Sequence, residues 1–219
     1  MHNTVKNLLE IDNNIKVHLN KLNINSSPKI IAVSKTFKID KILPLVDYGH
    51  TDFGENKVQE ALEKWAEIKK VNSKIKLHMV GKLQTNKVKF AVQIFDFIHS
   101  VDSEKLAKKI KDEQIKINKN IKVFLQINIG EENQKSGINK KDVVKLASFC
   151  KEISLEVIGL MCIPPLNIDS EIFFKEMNIL NRTLGFSELS MGMSSDFILA
   201  AKHSSTYVRI GSSIFGQRY

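Results

Sequence analysis

Cysteine is scarce in this chain of 219 residues: Cys150 and Cys162 stand far apart with no CxxC pairing. That excludes a disulfide framework and points to a reducing compartment. Long apolar runs are missing too, and none approaches the roughly 20 residues needed to cross a bilayer. The opening stretch MHNTVKNLLEIDNNIKVHL carries acidic residues and lacks the apolar core of a secretory signal. A cytoplasmic protein with no membrane attachment is therefore expected. No cluster of His, Cys or Asp has metal-site spacing, so no metal is expected. Aromatic residues make up only 7% of the chain, with a single Trp. This shortage matters because the net charge is +9 and the pI about 9.4. The densest basic run, KKIKDEQIKINKNIK, lacks the interleaved aromatics that stack nucleic-acid bases. It reads as a solvated helix face, and nucleic acid is not an expected partner.

Apolar residues at ordinary globular abundance, 42%, supply a core. Leu8, Leu9, Ile11, Ile15 and Leu19 recur at near-helical spacing and predict an amphipathic helix over residues 3–22. The run IIAV that follows is β-branched and wholly apolar, as in a strand covered on both faces. From there strand-like and helix-like segments alternate. The strand-like ones are KIIAV, HTDFGEN, KLHMVG, FDFIHSVDS, IKVFLQINI, LEVIGLMCI, ELSMG and YVRIG. Such repetition predicts parallel strands, and about eight units at this length predict a (β/α)8 TIM barrel with an additional N-terminal helix. A doubly wound open sheet is the alternative, weakened because no GxGxxG follows the first strand. No Pro/Gly/Ser-rich linker interrupts the chain. One domain is expected over 1–219, with residues 1–24 forming the amphipathic helix packed on the barrel.

In such barrels the loops at the C-terminal ends of strands carry function, and those after strands seven and eight commonly hold a phosphate. Those loops here read SMGMSSD and RIGSSIFG. Gly192 and Gly211 let backbone approach an anion, and Ser190, Ser194 and Ser212 offer hydroxyls. Ser194 and Ser195 also suit a helix N-cap. Ordinary turns would read the same locally, and the pairing at these two loops favours the phosphate. Lys35 follows the first strand and could form a Schiff base if partly buried, or be a surface lysine at a strand end.

The blocks IAVSKTF, FGENKVQEA, HMVGKLQTNK, IHSVDS, QINIGEENQKSGI, GLMCIPP, LSMGMSSDF and STYVRIGSSIFG run in order from about residue 30 to the C-terminus. Together they resemble the pyridoxal 5'-phosphate (PLP) homeostasis family, single-domain relatives of the N-terminal barrel of alanine racemases. The resemblance implies PLP as cofactor, covalent on Lys35 as a Schiff base. It implies Ser194, Gly211 and Ser212 as phosphate ligands with Ser190 nearby, and Arg209 facing the pyridine nitrogen. Asn56 and His78 would line the ring's other edge and face, although His78 could equally be a hydrogen-bonded strand histidine. Lys82, Gln84, Asn86 and Lys87 are candidate contacts for a second ligand or simply a polar loop. Lys135, Ser136 and Gly137 form a plausible turn, and Cys162 reads as a small buried residue. Lys57 and Lys82 stand where the family usually has other residues.

A racemase needs two bases, one on each face of the substrate carbon. In the related racemases the second is a Tyr completed by a further C-terminal domain, and this sequence stops at Tyr219. None of Tyr48, Tyr207 and Tyr219 is obviously placed to replace it. The expectation is a monomeric, cytoplasmic PLP-binding protein that holds and releases cofactor and so affects vitamin B6 and amino-acid balance. PLP-dependent enzymes are the partner class implied, and a weak PLP-dependent racemase is the alternative.

Overall fold

The computed structural model describes residues 1–132, 134–166 and 168–217. Eight strands close into a barrel in sequence order: β1 Lys29–Val33, β2 Asp52–Glu55, β3 Lys76–Met79, β4 Phe97–Val101, β5 Lys122–Ile127, β6 Val157–Cys162, β7 Glu188–Ser190 and β8 Tyr207–Ile210. All neighbouring pairs are parallel, and β8 closes on β1 with Ile31 opposite Arg209. The barrel expectation holds, and the open doubly wound sheet is excluded. Around it lie α1 Asn3–Asn20, α2 Ile39–Tyr48, α3 Val58–Val71, α4 Val88–Ile94, α5 Glu104–Lys116, α6 Val143–Glu152, α7 Ser170–Thr183, α8 Phe197–Lys202 and α9 Ser212–Phe215.

The helices begin and end where local chemistry allows. Ser103 accepts from the Leu106 N–H at the start of α5, and Asp169 accepts from the Glu171 N–H at the start of α7. Each meets an orphan backbone donor of the first turn. Gly49 ends α2 in the left-handed region at φ 98°. The predicted opening helix is α1, which buries Val5, Leu8, Ile11, Ile15 and Leu19. It packs against α2, α8 and α9, and Asn7 donates from Nδ2 to the Ile214 carbonyl at 2.9 Å. The first helix is thereby tied to the segment after the last strand.

Strand side chains alternate between two cores, as the pleat requires. Outward residues such as Ile30, Phe53, Leu77, Leu125, Leu160 and Val208 meet the helices in one large apolar cluster. Inward ones, Ile31, Val33, Phe124, Met161 and Tyr207, fill a smaller inner cluster. The inner side also holds polar residues: His78, His99, Ser190 and Arg209 are all buried. Gly159 makes the β6–β7 contact possible, since an added Cβ would fall 1.8 Å from the Glu188 carbonyl oxygen. Gly159→Ala is expected to force these strands apart and lower the unfolding free energy by about 1–3 kcal/mol, the usual range for overpacking. Urea denaturation of the two proteins measures it, and an unchanged midpoint would contradict this packing.

Candidate functional site

A cavity of about 370 Å³ opens at the C-terminal mouth of the barrel, within the roughly 300–1,000 Å³ typical of small-molecule sites. Lys35, Asn56, Ser194, Ser195, Arg209, Gly211 and Ser212 supply its polar wall, and Val33, Val80, Ile163 and Met193 its apolar one. Six of the eight site residues expected from sequence therefore converge here: Lys35, Asn56, Ser194, Arg209, Gly211 and Ser212. His78 and Ser190 do not line the cavity. They lie inside the barrel beneath Arg209.

Lys35 stands two residues beyond β1 in a turn that is firmly held. Thr36, next to it, has φ 67°, a left-handed conformation disfavoured for a β-branched residue. Its N–H donates to Glu60, and Lys64 donates to Glu60 at 2.6 Å and to the Ser34 carbonyl at 2.9 Å. Lys64 also pairs with Glu55, whose carboxylate accepts from Ser34 Oγ at 2.8 Å and Trp65 Nε1 at 3.1 Å. Burial raises the Glu55 pKa, against the opposing pull of Lys64 and those two donors. This ionic knot, of which Glu55 is the buried member, fixes the backbone on both sides of Lys35.

Opposite, the two C-terminal loops close the cradle. Gly192 has φ 90°, and an added Cβ would sit 2.5 Å from the Ala200 Cβ. The turn thus needs glycine for conformation and for space. Gly211 lies against β1, where a Cβ would approach the Val33 carbonyl oxygen to 3.3 Å. Ser194 Oγ accepts from the Ser213 N–H at 3.4 Å, which joins the loops. The predicted N-cap role of Ser194 or Ser195 is not found. Asp196 stands at the N-cap of α8, and its carboxylate accepts from the Met193 N–H at 2.7 Å and from Ser170 Oγ at 3.2 Å. With the turn closed by Asp196, the serine side chains are left on the cavity side.

Arg209 forms the floor and is 5% exposed. Nη1 donates to Ser190 Oγ at 2.8 Å and Nη2 to the Cys162 carbonyl at 2.9 Å. Burial lowers its pKa from the usual guanidinium value, with Cys162 and Asp196 opposing. Burial pushes the Cys162 thiol up to about 12, so it is no nucleophile. Cys150 is likewise buried and free.

Below Arg209 a polar chain continues through the barrel. His99 Nδ1 lies 2.9 Å from Ser190 Oγ, His99 Nε2 lies 2.9 Å from His78 Nδ1, and His78 Nε2 lies 3.1 Å from Asp52 Oδ1. His78 stacks on Phe97 with centroids 4.4 Å apart, and His99 on Phe124 at 4.2 Å. Burial lowers both imidazole pKa values, His99 well below the usual range. Burial would raise Asp52, but hydrogen bonds from His78 and Thr51 outweigh it and lower it. Sequence reasoning missed Asp52 and His99. The available signal was that HTDFGEN, KLHMVG and FDFIHSV each place a polar residue at an inward position of a strand.

A larger neighbouring cavity of about 490 Å³ shares Asn56 and is walled by Lys57, Lys82, Gln84 and Lys87. Asn86 lies instead beside α5, with Lys105 and Lys108. Lys135 donates to the Pro164 carbonyl at 3.2 Å, and the Ser136 carbonyl accepts from Gln126 Nε2 at 3.2 Å. With Gly137 at φ 122° they make a braced turn beyond β5. Tyr207 is buried at the far end of the barrel near Lys29, Tyr48 is exposed on α2, and Tyr219 lies outside the described residues.

Residues 7–219 match the family model described as alanine racemase, N-terminal domain. A protein of Pasteurella multocida named pyridoxal phosphate homeostasis protein is 35% identical over 225 residues, 97% of each chain. The solved structure of PipY from Synechococcus elongatus with PLP bound matches at TM-score 0.77 and 32% identity, over 92% of this chain and all of that one. An alanine racemase from Clostridium difficile matches at TM-score 0.72 with 16% identity, over 99% of this chain and 57% of that one, a likeness of fold alone.

The neutral histidines carry a consequence for stability. His50, His78 and His99 all have lowered pKa values in the fold, from burial in each case. Below about pH 6.5 the unfolded chain binds protons that the folded one refuses, so stability falls as pH drops. Urea unfolding between pH 7 and pH 5 is expected to show a loss of up to about 1.4 kcal/mol per pH unit per histidine until the folded-state values are reached. His99→Gln should flatten the slope. A pH-independent midpoint across this window would show that these imidazoles are not neutral and buried.

Proposed function

The chain belongs to the alanine racemase N-terminal domain family, and on that premise we propose that it binds PLP and serves PLP homeostasis. The observation that carries this reading is the convergence on one cavity of an amine, three hydroxyls and a buried guanidinium. The donor set fits the cofactor. Ser194, Ser195 and Ser212, with the thin wall at Gly211, would hold the phosphate, and the strained turn would present the Lys35 amine to the aldehyde for covalent attachment. Asn56 would line the ring's edge, and Arg209 would face its nitrogen, with Ser190 and His78 acting from beneath.

When bound, PLP supplies an aldehyde that condenses with a primary amine, releasing water, and a pyridine ring that withdraws electrons. A fixed guanidinium opposite the ring nitrogen disfavours a proton there and weakens that withdrawal. Among the described cavity residues, Lys35 carries the only side-chain amine. A second base for the opposite face is not among them, which favours holding cofactor over turning over amino acids. Residues 1–219 would act as a single PLP-binding unit, monomeric and cytoplasmic, passing cofactor to PLP-dependent enzymes. No described helix is long and apolar enough to cross a membrane.

PLP added to the purified protein is expected to give a yellow chromophore that borohydride fixes on the Lys35 peptide. Lys35→Ala should abolish the fixed adduct. A colourless protein, or adducts scattered over surface lysines, overturns the reading. Amino acids incubated with the holoprotein in deuterated water are expected to show no sustained exchange of the α-proton. Continuous exchange would establish the racemase alternative.

A further inference from the structure

The polar chain beneath the cavity has two charged ends, the Arg209 guanidinium and the Asp52 carboxylate. They lie toward opposite ends of the barrel, Arg209 on the floor of the cavity and Asp52 at the first residue of β2. Between them lie one hydroxyl and two imidazoles, each neutral imidazole having one donor and one acceptor nitrogen. Arg209 can only donate, so Ser190 Oγ accepts from Nη1. Asp52 can only accept, so His78 Nε2 carries the proton toward Oδ1. His78 Nδ1 is then an acceptor and takes the Nε2 proton of His99. His99 Nδ1 is in turn an acceptor and takes the Ser190 hydroxyl proton. Every donor meets an acceptor, and every bond points from Arg209 toward Asp52.

The opposite direction fails at both ends. His99 Nδ1 would donate into Ser190 Oγ beside the Arg209 donor, and the Ser190 hydroxyl proton would lose its place in the chain. His78 Nε2 would present a lone pair to the Asp52 carboxylate. The second oxygen of Asp52 is already engaged, accepting from Thr51 Oγ1 at 2.6 Å. Stacking on Phe97 and Phe124 walls the imidazoles from water, so solvent cannot repair a mismatched bond.

We propose that Asp52, His78 and His99 are positioning residues whose one-directional hydrogen-bond chain orients Ser190 and Arg209, so that a carboxylate remote from the cavity sets how the guanidinium meets the ligand. The inference rests on the reading that Arg209 faces the PLP ring nitrogen, and none of the three residues touches the cofactor. Asp52→Asn preserves shape but removes the constraint, because an amide can donate to His78 as well as accept from it. The chain is then free to run either way.

Two readouts test this separately. In the apo protein labelled with 15N-histidine, long-range proton–nitrogen correlations report which ring nitrogen bears the proton. The expected wild-type result is Nε2–H for both His78 and His99, with Asp52→Asn populating the Nδ1–H form. Protonation at Nδ1 in the wild type, or an imidazolium at either residue at pH 7, overturns the proposal whether or not PLP binds. In the holoprotein, Asp52→Asn is expected to shift the bound-PLP absorption band and weaken PLP about tenfold, on the order of one well-oriented charge-assisted hydrogen bond. Ser190→Ala should give a similar shift, and the double variant no more than either alone. Additive effects, or an unaltered spectrum and affinity in Asp52→Asn while PLP still labels Lys35, refute the proposal. If wild-type Lys35 is not labelled at all, the PLP reading fails, and the tautomer result still decides whether the chain is polarised. Should Asp52→Asn not fold, wild-type tautomers and the Ser190→Ala spectrum carry the same decision.

Discussion

Taking an ion out of water costs several kcal/mol unless its hydrogen bonds are replaced, and Arg209 is a guanidinium almost wholly inside a barrel. No carboxylate lies within ion-pair distance of it among the described residues. Its protein partners are a serine hydroxyl and a carbonyl oxygen. Much of the molecule can be understood as the arrangement that makes this burial tolerable. The inner wall of β7 offers Ser190, the end of β6 offers its carbonyl, and two imidazoles pass polarity on to Asp52. A carboxylate placed directly beside the guanidinium would neutralise it locally and leave less of its field for a ligand. Placing the negative charge at the end of a relay keeps the cation electrostatically available at the cavity floor.

The cavity's other wall is held by different means. Lys35 owes its position to backbone, because Thr36 is kept in an unfavourable conformation by Glu60, and Glu60 by Lys64. The ionic knot of Glu55, Lys64 and Glu60 lies outside the inner barrel, against α3, while the relay lies within it. The amine and the guanidinium are thus braced by two separate polar systems. A disturbance in one need not reach the other, which suits a site that keeps an amine and a guanidinium in fixed relation.

Much of this was legible in the sequence for reasons of period. Fully apolar β-branched runs such as IIAV announce parallel strands, and their repetition announces a closed barrel. Barrel geometry then nominates the loops after the first, seventh and eighth strands. Lys35, Ser194, Gly211 and Ser212 were legible that way as cavity residues, and the family resemblance implied roles for them and for Arg209. What stayed hidden depends on register. His78 and His99 meet inside the barrel only because β3 and β4 pair as they do, with His78 opposite Phe97, and a one-residue slip would face either imidazole outward. Asp196 as the N-cap was hidden as well, since serines and an aspartate in SSD all suit that place and only the closure of the turn decides among them. Lys82, Gln84 and Lys87 were legible as candidate contacts for a second ligand, but that Lys57 shares their cavity was not.

The barrel closes by pairing its first strand with its last, β1 with β8 in register over Lys29–Ala32 and Tyr207–Ile210. Lys35 follows one of these strands and Arg209 lies on the other. A ribosome therefore delivers the amine long before its opposing wall. Throughout that interval β1 has an open edge, and the segment that will cover it does not yet exist. Contacts so far apart along the chain form slowly, and an exposed strand edge invites pairing with the wrong neighbour. Until β8 docks, neither the cavity's far wall nor its guanidinium floor exists, so a partly made chain carries Lys35 without the cavity that encloses it.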